Sequence, residues 1–123
     1  MSILHPDPYP IAEALGLVVV LPAPNELFLD IDDAESLAMY EARIVDLREH
    51  YEVVETKRTT SNGGNTHIYL ALRDDDGWVP LDAVTRIALQ ACLGSDRQHE
   101  LLSLMTAHAG SLRPPTVLFE KPE

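Results

Sequence analysis

Two aspartates separated by one residue stand out first, in Leu27-Phe28-Leu29-Asp30-Ile31-Asp32-Asp33. A β-strand side-chain period of two places Leu27, Leu29 and Ile31 on one face and Phe28, Asp30 and Asp32 on the other. Carboxylates crowded on one strand face repel each other unless something neutralises them. A divalent cation with oxygen ligands is the functional answer, and solvent at an exposed strand end is the structural one. His67 lies on a second segment, Thr66 to Arg73, where Ile68, Leu70 and Leu72 share one face and His67, Tyr69, Ala71 and Arg73 share the other. If the two segments are neighbours in one sheet, Asp30, Asp32 and His67 converge on the polar side.

Several elements must form to bring these residues together. Met1 to Pro10 is interrupted by Pro6, Pro8 and Pro10 and reads as an extended arm. Ile11 to Leu15 is a short helical segment broken by Gly16, and Leu17 to Leu21 reads as a short strand or buried extended segment. Asp32 or Asp33 can cap the helix that follows, Ala34 to Tyr51. Its stripe of Leu37, Tyr40, Ile44, Leu47 and Tyr51 repeats at three and four residues. Val53 to Thr60 and Thr66 to Arg73 form an antiparallel hairpin around the turn Ser61-Asn62-Gly63-Gly64-Asn65. Asp74-Asp75-Asp76-Gly77 is an acidic turn, and no glutamate follows at the spacing of a calcium loop. Trp78 and Val79 read as a short edge strand. Asp82 caps a helix from Ala83 to Leu93, and Gly94 ends it. Ser95 to Gln98 matches a capping box for a last helix reaching about His108. His99 and His108 have no histidine partner four residues away. Thr116 to Glu120 is the last strand.

The order strand, helix, hairpin, helices predicts an α+β fold with an RNA-recognition-like (RRM-like), split βαβ core. Its antiparallel sheet packs on helices on one face, with the other face open. The 123 residues make one domain, and 46% hydrophobic composition is enough for a core. A formal net charge of −11 argues against bare attraction to nucleic acid, so a phosphate ligand needs metal ions or a local basic patch. The single cysteine, Cys92, excludes an intramolecular disulfide and reads as a small apolar helix residue. No basic leader and no apolar run of membrane length occurs, so a cytoplasmic protein with no membrane partner is expected.

The motifs around the two acids and the histidine resemble those of the archaeo-eukaryotic primase superfamily. Leu27-Phe28-Leu29-Asp30-Ile31-Asp32 is similar to that family's run of three hydrophobic residues followed by Asp, a hydrophobic residue and Asp. Ser61 to Tyr69 is similar to its Ser/Gly-rich turn leading to a histidine on a strand, with Asn65 where the family usually has Ser. The resemblance covers Leu27 to about Leu72. It implies a minimal palm domain in which Asp30 and Asp32 bind Mg²⁺ or Mn²⁺ for nucleotidyl transfer and His67 contacts the incoming nucleotide's phosphates. Lys57, Arg58 and Arg73 are the basic residues nearest the sheet, with Lys57 and Arg73 as further phosphate contacts. Asp82 and Asp96 are the candidates for the family's third acid, and each also fits as a helix cap. The overall pattern also resembles small proteins of tailed phages.

Two functions follow from this reading. One is a metal-dependent nucleotidyltransferase or nucleotide-binding domain acting through Asp30, Asp32 and His67. The other is a non-catalytic, acidic interaction or inhibitory protein on a degenerate primase-like fold, occupying a basic site on a protein partner.

Overall fold

The computed structural model describes residues 7–60, 63–109 and 113–122. The elements in chain order are α1 (Pro8–Leu15), β1 (Val18–Val20), β2 (Glu26–Ile31), α2 (Ala34–Arg48), β3 (Glu52–Thr60), β4 (Thr66–Asp74), β5 (Gly77–Trp78), α3 (Ala83–Cys92), α4 (Arg97–His108) and β6 (Leu118–Glu120). The fold is α+β. β4 lies between β2 and β3 and is antiparallel to both, and β5 adds to β4. β2 and β3 are thus parallel, separated by one strand and joined through α2, which is the expected split βαβ arrangement.

The main core forms where the period-two faces meet the helices. Leu27, Leu29 and Ile31 of β2 and Ile68, Leu70 and Leu72 of β4 are fully or almost fully buried with Tyr40 and Ile44 of α2 and with Leu93. Leu37, Leu47 and Tyr51, the rest of the expected helix stripe, pack around them. The N-cap of α2 is Asp33, whose Oδ1 accepts from Ser36 N at 2.7 Å. Asp32 is therefore left outside the helix cap. Gly94 follows α3 with φ 96°, and a Cβ there would stand 2.7 Å from the Ser36 carbonyl oxygen. Only glycine allows that close approach of two backbones.

The opposite sheet face differs from the open surface expected. β1 and β6 pair as a separate two-stranded sheet, and this sheet covers part of the face. Phe28 and Tyr69 meet edge-to-face at 4.7 Å and pack with Leu118 and Val20 into a second, smaller core. The remainder of the face, with Val54, Arg73 and Trp78, stays exposed. The last strand thus joins β1 and leaves the edge of β2 to other groups. Arg86 Nε donates to Glu26 O, Phe28 N donates to Gln90 Oε1, Asp30 N donates to Ser95 Oγ, and Asp96 N donates to Asp30 O. Alternate residues of the edge strand are satisfied by α3 and the loop after it, so the edge is closed to another strand.

Two local expectations change, and β3 carries an irregularity. The helix expected from Ile11 begins at Pro8, within the proposed arm, with Asp7 accepting from Tyr9 N. Proline is tolerated there because the first-turn N–H groups lack intrahelical partners anyway. Residues 1–6 of the expected arm lie outside the described residues. The cap of α4 is Asp96, whose Oδ2 accepts from His99 N, while the Ser95 hydroxyl serves β2. Finally, the register of β3 shifts between Glu55 and Lys57. This extra residue reverses the parity of the strand: Glu55 faces the α2 side with Leu70, whereas Lys57 and Thr59 lie opposite Tyr69 and His67.

Candidate functional site

Asp30 is directly opposite His67 in the β2–β4 register. The predicted convergence therefore forms, but His67 is 6% exposed rather than displayed on an open surface. Its Nε2 lies 3.6 Å from Asp30 Oδ1, and its Nδ1 lies 3.1 Å from Glu120 Oε1. Glu120 comes from β6, brought over the face by the small sheet. It also accepts from Tyr69 Oη at 2.7 Å and from Thr59 Oγ1 at 2.6 and 2.9 Å. Burial pushes the Glu120 carboxyl up, but the hydrogen bonds from Thr59, Tyr69 and His67 outweigh it and hold the carboxyl below its ordinary range. An ionised carboxylate only accepts, so the proton between Glu120 and His67 resides on Nδ1. The same contact works in reverse on Tyr69, whose phenol is raised by burial and then by Glu120.

The two sequence-adjacent acids occupy different surroundings. Asp30 is partly buried, and Asp32, just past the end of β2, is exposed. Asn65 Nδ2 donates to Asp32 Oδ1 at 2.8 Å and to Asp30 Oδ1 at 3.3 Å. Burial, a side-chain hydrogen bond with Asp96, and the charges of Asp96, Asp30 and Asp33 push the Asp32 carboxyl up to about 6. Asp96 therefore does approach the acid pair, brought there by the N-terminus of α4. Asp82 caps α3 and accepts from Thr85 N at 2.8 Å. Among the described residues, no group of three or more His, Cys, Asp or Glu side chains is placed to hold a metal ion. The Asn65 amide bridges the Asp30 and Asp32 carboxylates, the two acids that would hold Mg²⁺ or Mn²⁺.

The basic residues do not join this cluster. Lys57 is exposed, with Nζ 5.9 Å from the centre of the Tyr69 ring. Arg58 is on the α2 side, bound to Glu55 at 2.6 Å and lying over the Tyr40 ring. Arg73 pairs with Glu52 and Trp78 at the far end of β4, about 20 Å from His67 at the usual rise per strand residue. Ser61 and Asn62 of the glycine-rich turn lie outside the described residues.

A cavity of about 400 Å³ opens beside the buried histidine, with Asp30, His67, His99 and Glu120 on its polar wall. Ile11, Leu17, Val117, Leu118 and Phe119 make the apolar remainder, while Thr60, Gly63 and Lys121 also reach it. His99 Nε2 donates to Val117 O at 3.2 Å, and its Nδ1 is 3.6 Å from Glu100 Oε2. Burial disfavours the charged His99 ring, but Glu100 prevails and raises its pKa. Glu100 is itself 2% exposed and accepts from Gln90 Nε2.

Glu120 is the main participant that the sequence reading passed over. Its signal was present: Leu118 and Glu120 share a strand face, so a core-facing leucine is followed by an acid on the same side. Thr59 was hidden by the change of parity in β3, and His99 by the distance in sequence to Val117. No protein-family model matches the chain, and no curated protein or solved structure is significantly similar to it.

Proposed function

We propose that this chain is a non-catalytic binding domain on a degenerate primase-like βαββ core. The observation that carries this reading is the commitment of His67 to its own fold. One ring nitrogen is taken by Glu120, and the other faces Asp30 rather than a cationic pocket for phosphates. The positions of Lys57 and Arg73 support the same reading, since neither lines the cavity. With a net charge of −11, triphosphate binding needs a strong local compensation, and Asp30 and Glu120 supply the opposite sign beside the histidine. The acidic surface instead suits a basic site on a protein partner, where charge complementarity accelerates encounter.

The rival reading, a nucleotidyltransferase in which Asp30 and Asp32 hold Mg²⁺ or Mn²⁺, rests on the motif resemblance and on the Asp30–His67 register. NMR titration with Mn²⁺ and then a nucleoside triphosphate separates the two. The binding-domain reading expects no saturable nucleotide site, and only weak broadening near the exposed acids. Saturable, triphosphate-dependent broadening at Asp30, Asp32 and His67, abolished by the Asp30→Ala/Asp32→Ala double variant, would overturn it in favour of the enzyme.

A further inference from the structure

The cavity beside His67 has a second property, independent of whether the chain ever handled nucleotides. Its walls are mostly apolar, and its volume is within the range of small-ligand sites. Most of its polar groups are already engaged. Both Glu120 oxygens accept from Thr59, Tyr69 or His67, and His99 Nε2 donates to Val117 O. Among the described residues, Thr60 and Lys121 reach the lining from exposed positions, and two less exposed groups, Asp30 and His67, retain capacity toward the cavity. Asp30 has one long amide contact, from Asn65 at 3.3 Å, and can accept more. His67 Nε2, among the described residues, has only the 3.6 Å approach to Asp30.

The Glu120 contact decides what His67 can offer. With Nδ1 donating to Glu120, Nε2 is the lone-pair acceptor of the ring in its uncharged form. The cavity therefore ends in two acceptors, a carboxylate and an imidazole nitrogen, at 3.6 Å. At this end a carboxylate or phosphate ligand would meet lone pairs, the donors Thr60 and Lys121 reaching the lining from exposed positions. A hydroxyl has one hydrogen to give. An ammonium has three, and its charge offsets that of Asp30 in surroundings of low polarity. Lys121 reaches the lining but is exposed, so solvent screens its repulsion.

We propose that this cavity is a binding site for a small primary amine with an apolar body, the ammonium held by Asp30 and His67 Nε2 and the body packed between Leu17 and Phe119. Matched titrations of the full chain with hexylamine, hexanol and hexanoate, followed by amide NMR, test it. Hexylamine is expected to give saturable shifts around Leu17, His67 and Val117 to Phe119. Hexanol should bind at least about tenfold more weakly, the loss of one charge-assisted contact, and hexanoate should not bind there. Asp30→Asn should weaken hexylamine by a similar factor, and Leu17→Trp, which fills the wall, should abolish the shifts. Equal binding of hexanoate, unchanged hexylamine affinity in Asp30→Asn, or no saturable shift with hexylamine in the unmodified chain would each overturn the proposal. The wild-type comparison of the three ligands stands alone if a variant does not fold. None of these outcomes depends on the Mn²⁺ and triphosphate titration.

Discussion

Asp32 and Glu120 are both carboxylic acids close to the Asp30–His67 pair, and their environments act in opposite directions. Asp32 is exposed, yet its pKa is pushed up to about 6, by partial desolvation of its carboxyl first, then by a side-chain hydrogen bond with Asp96 and the like charges of Asp96, Asp30 and Asp33. Glu120 is buried, yet its pKa is lowered, because three side chains donate to it. Depth alone would give the reverse order. The balance of donors against neighbouring charge decides which carboxylate stays ionised. In this molecule that balance places a settled charge inside and an unsettled one at the surface.

The largest expected effect breaks the inner network. Glu120→Ala leaves the Thr59 and Tyr69 hydroxyls and His67 Nδ1 without their acceptor under the β1–β6 sheet. A loss of about 3–5 kcal/mol in unfolding free energy is expected from urea denaturation, the usual cost of removing one partner from a buried charged group. Stability close to wild type would mean that the small sheet does not depend on this contact.

A milder change sharpens the comparison. Tyr69→Phe removes one 2.7 Å donor to Glu120 and keeps the ring packed on Phe28. A loss of about 1.5–3 kcal/mol at neutral pH is expected for a hydrogen bond to a charged group. The sign with pH follows from the lowered carboxyl. Its stabilisation is present above the ordinary glutamate pKa and is lost as pH falls through the native value. With fewer donors the native value rises toward the ordinary one, so the acid-induced drop in stability should be smaller in Tyr69→Phe. An unchanged drop between pH 5 and pH 2 would assign the acid sensitivity to other groups.

The smallest effect is at the surface. The native Asp32 carboxyl is raised, so it binds protons that the unfolded chain releases between its ordinary pKa of 3.8 and about 6. Stability therefore falls as pH rises through that window. Asp32→Asn should remove this fall and leave the variant more stable above pH 6. The gain is about 0.5 kcal/mol or less, since the group is exposed and screened by salt. Thermal melts at pH 5 and pH 7.5 in low salt measure it, and a variant less stable than wild type at pH 7.5 would contradict the repulsion.

Local pattern alone determined much of the frame. The alternating faces of β2 and β4, the stripe of α2, and aspartates at helix starts depend on residues a few positions apart, so they are visible in the sequence. Even the Asp30–His67 pairing was legible once two strands were taken as neighbours. Tertiary structure decided the rest. Which strand β6 joins, and hence that Glu120 stands 53 residues from His67 yet at its ring, follows from packing across the sheet face. The parity change in β3 that turns Thr59 inward costs one extra residue and has no marker in its neighbours. The meeting of Asp96 with Asp32 depends on α3 and its loop closing the edge of β2. Periodicity records which side a residue faces; only the folded chain determines what waits on that side, because long-range contacts are chosen by the burial and hydrogen bonding of the whole molecule together.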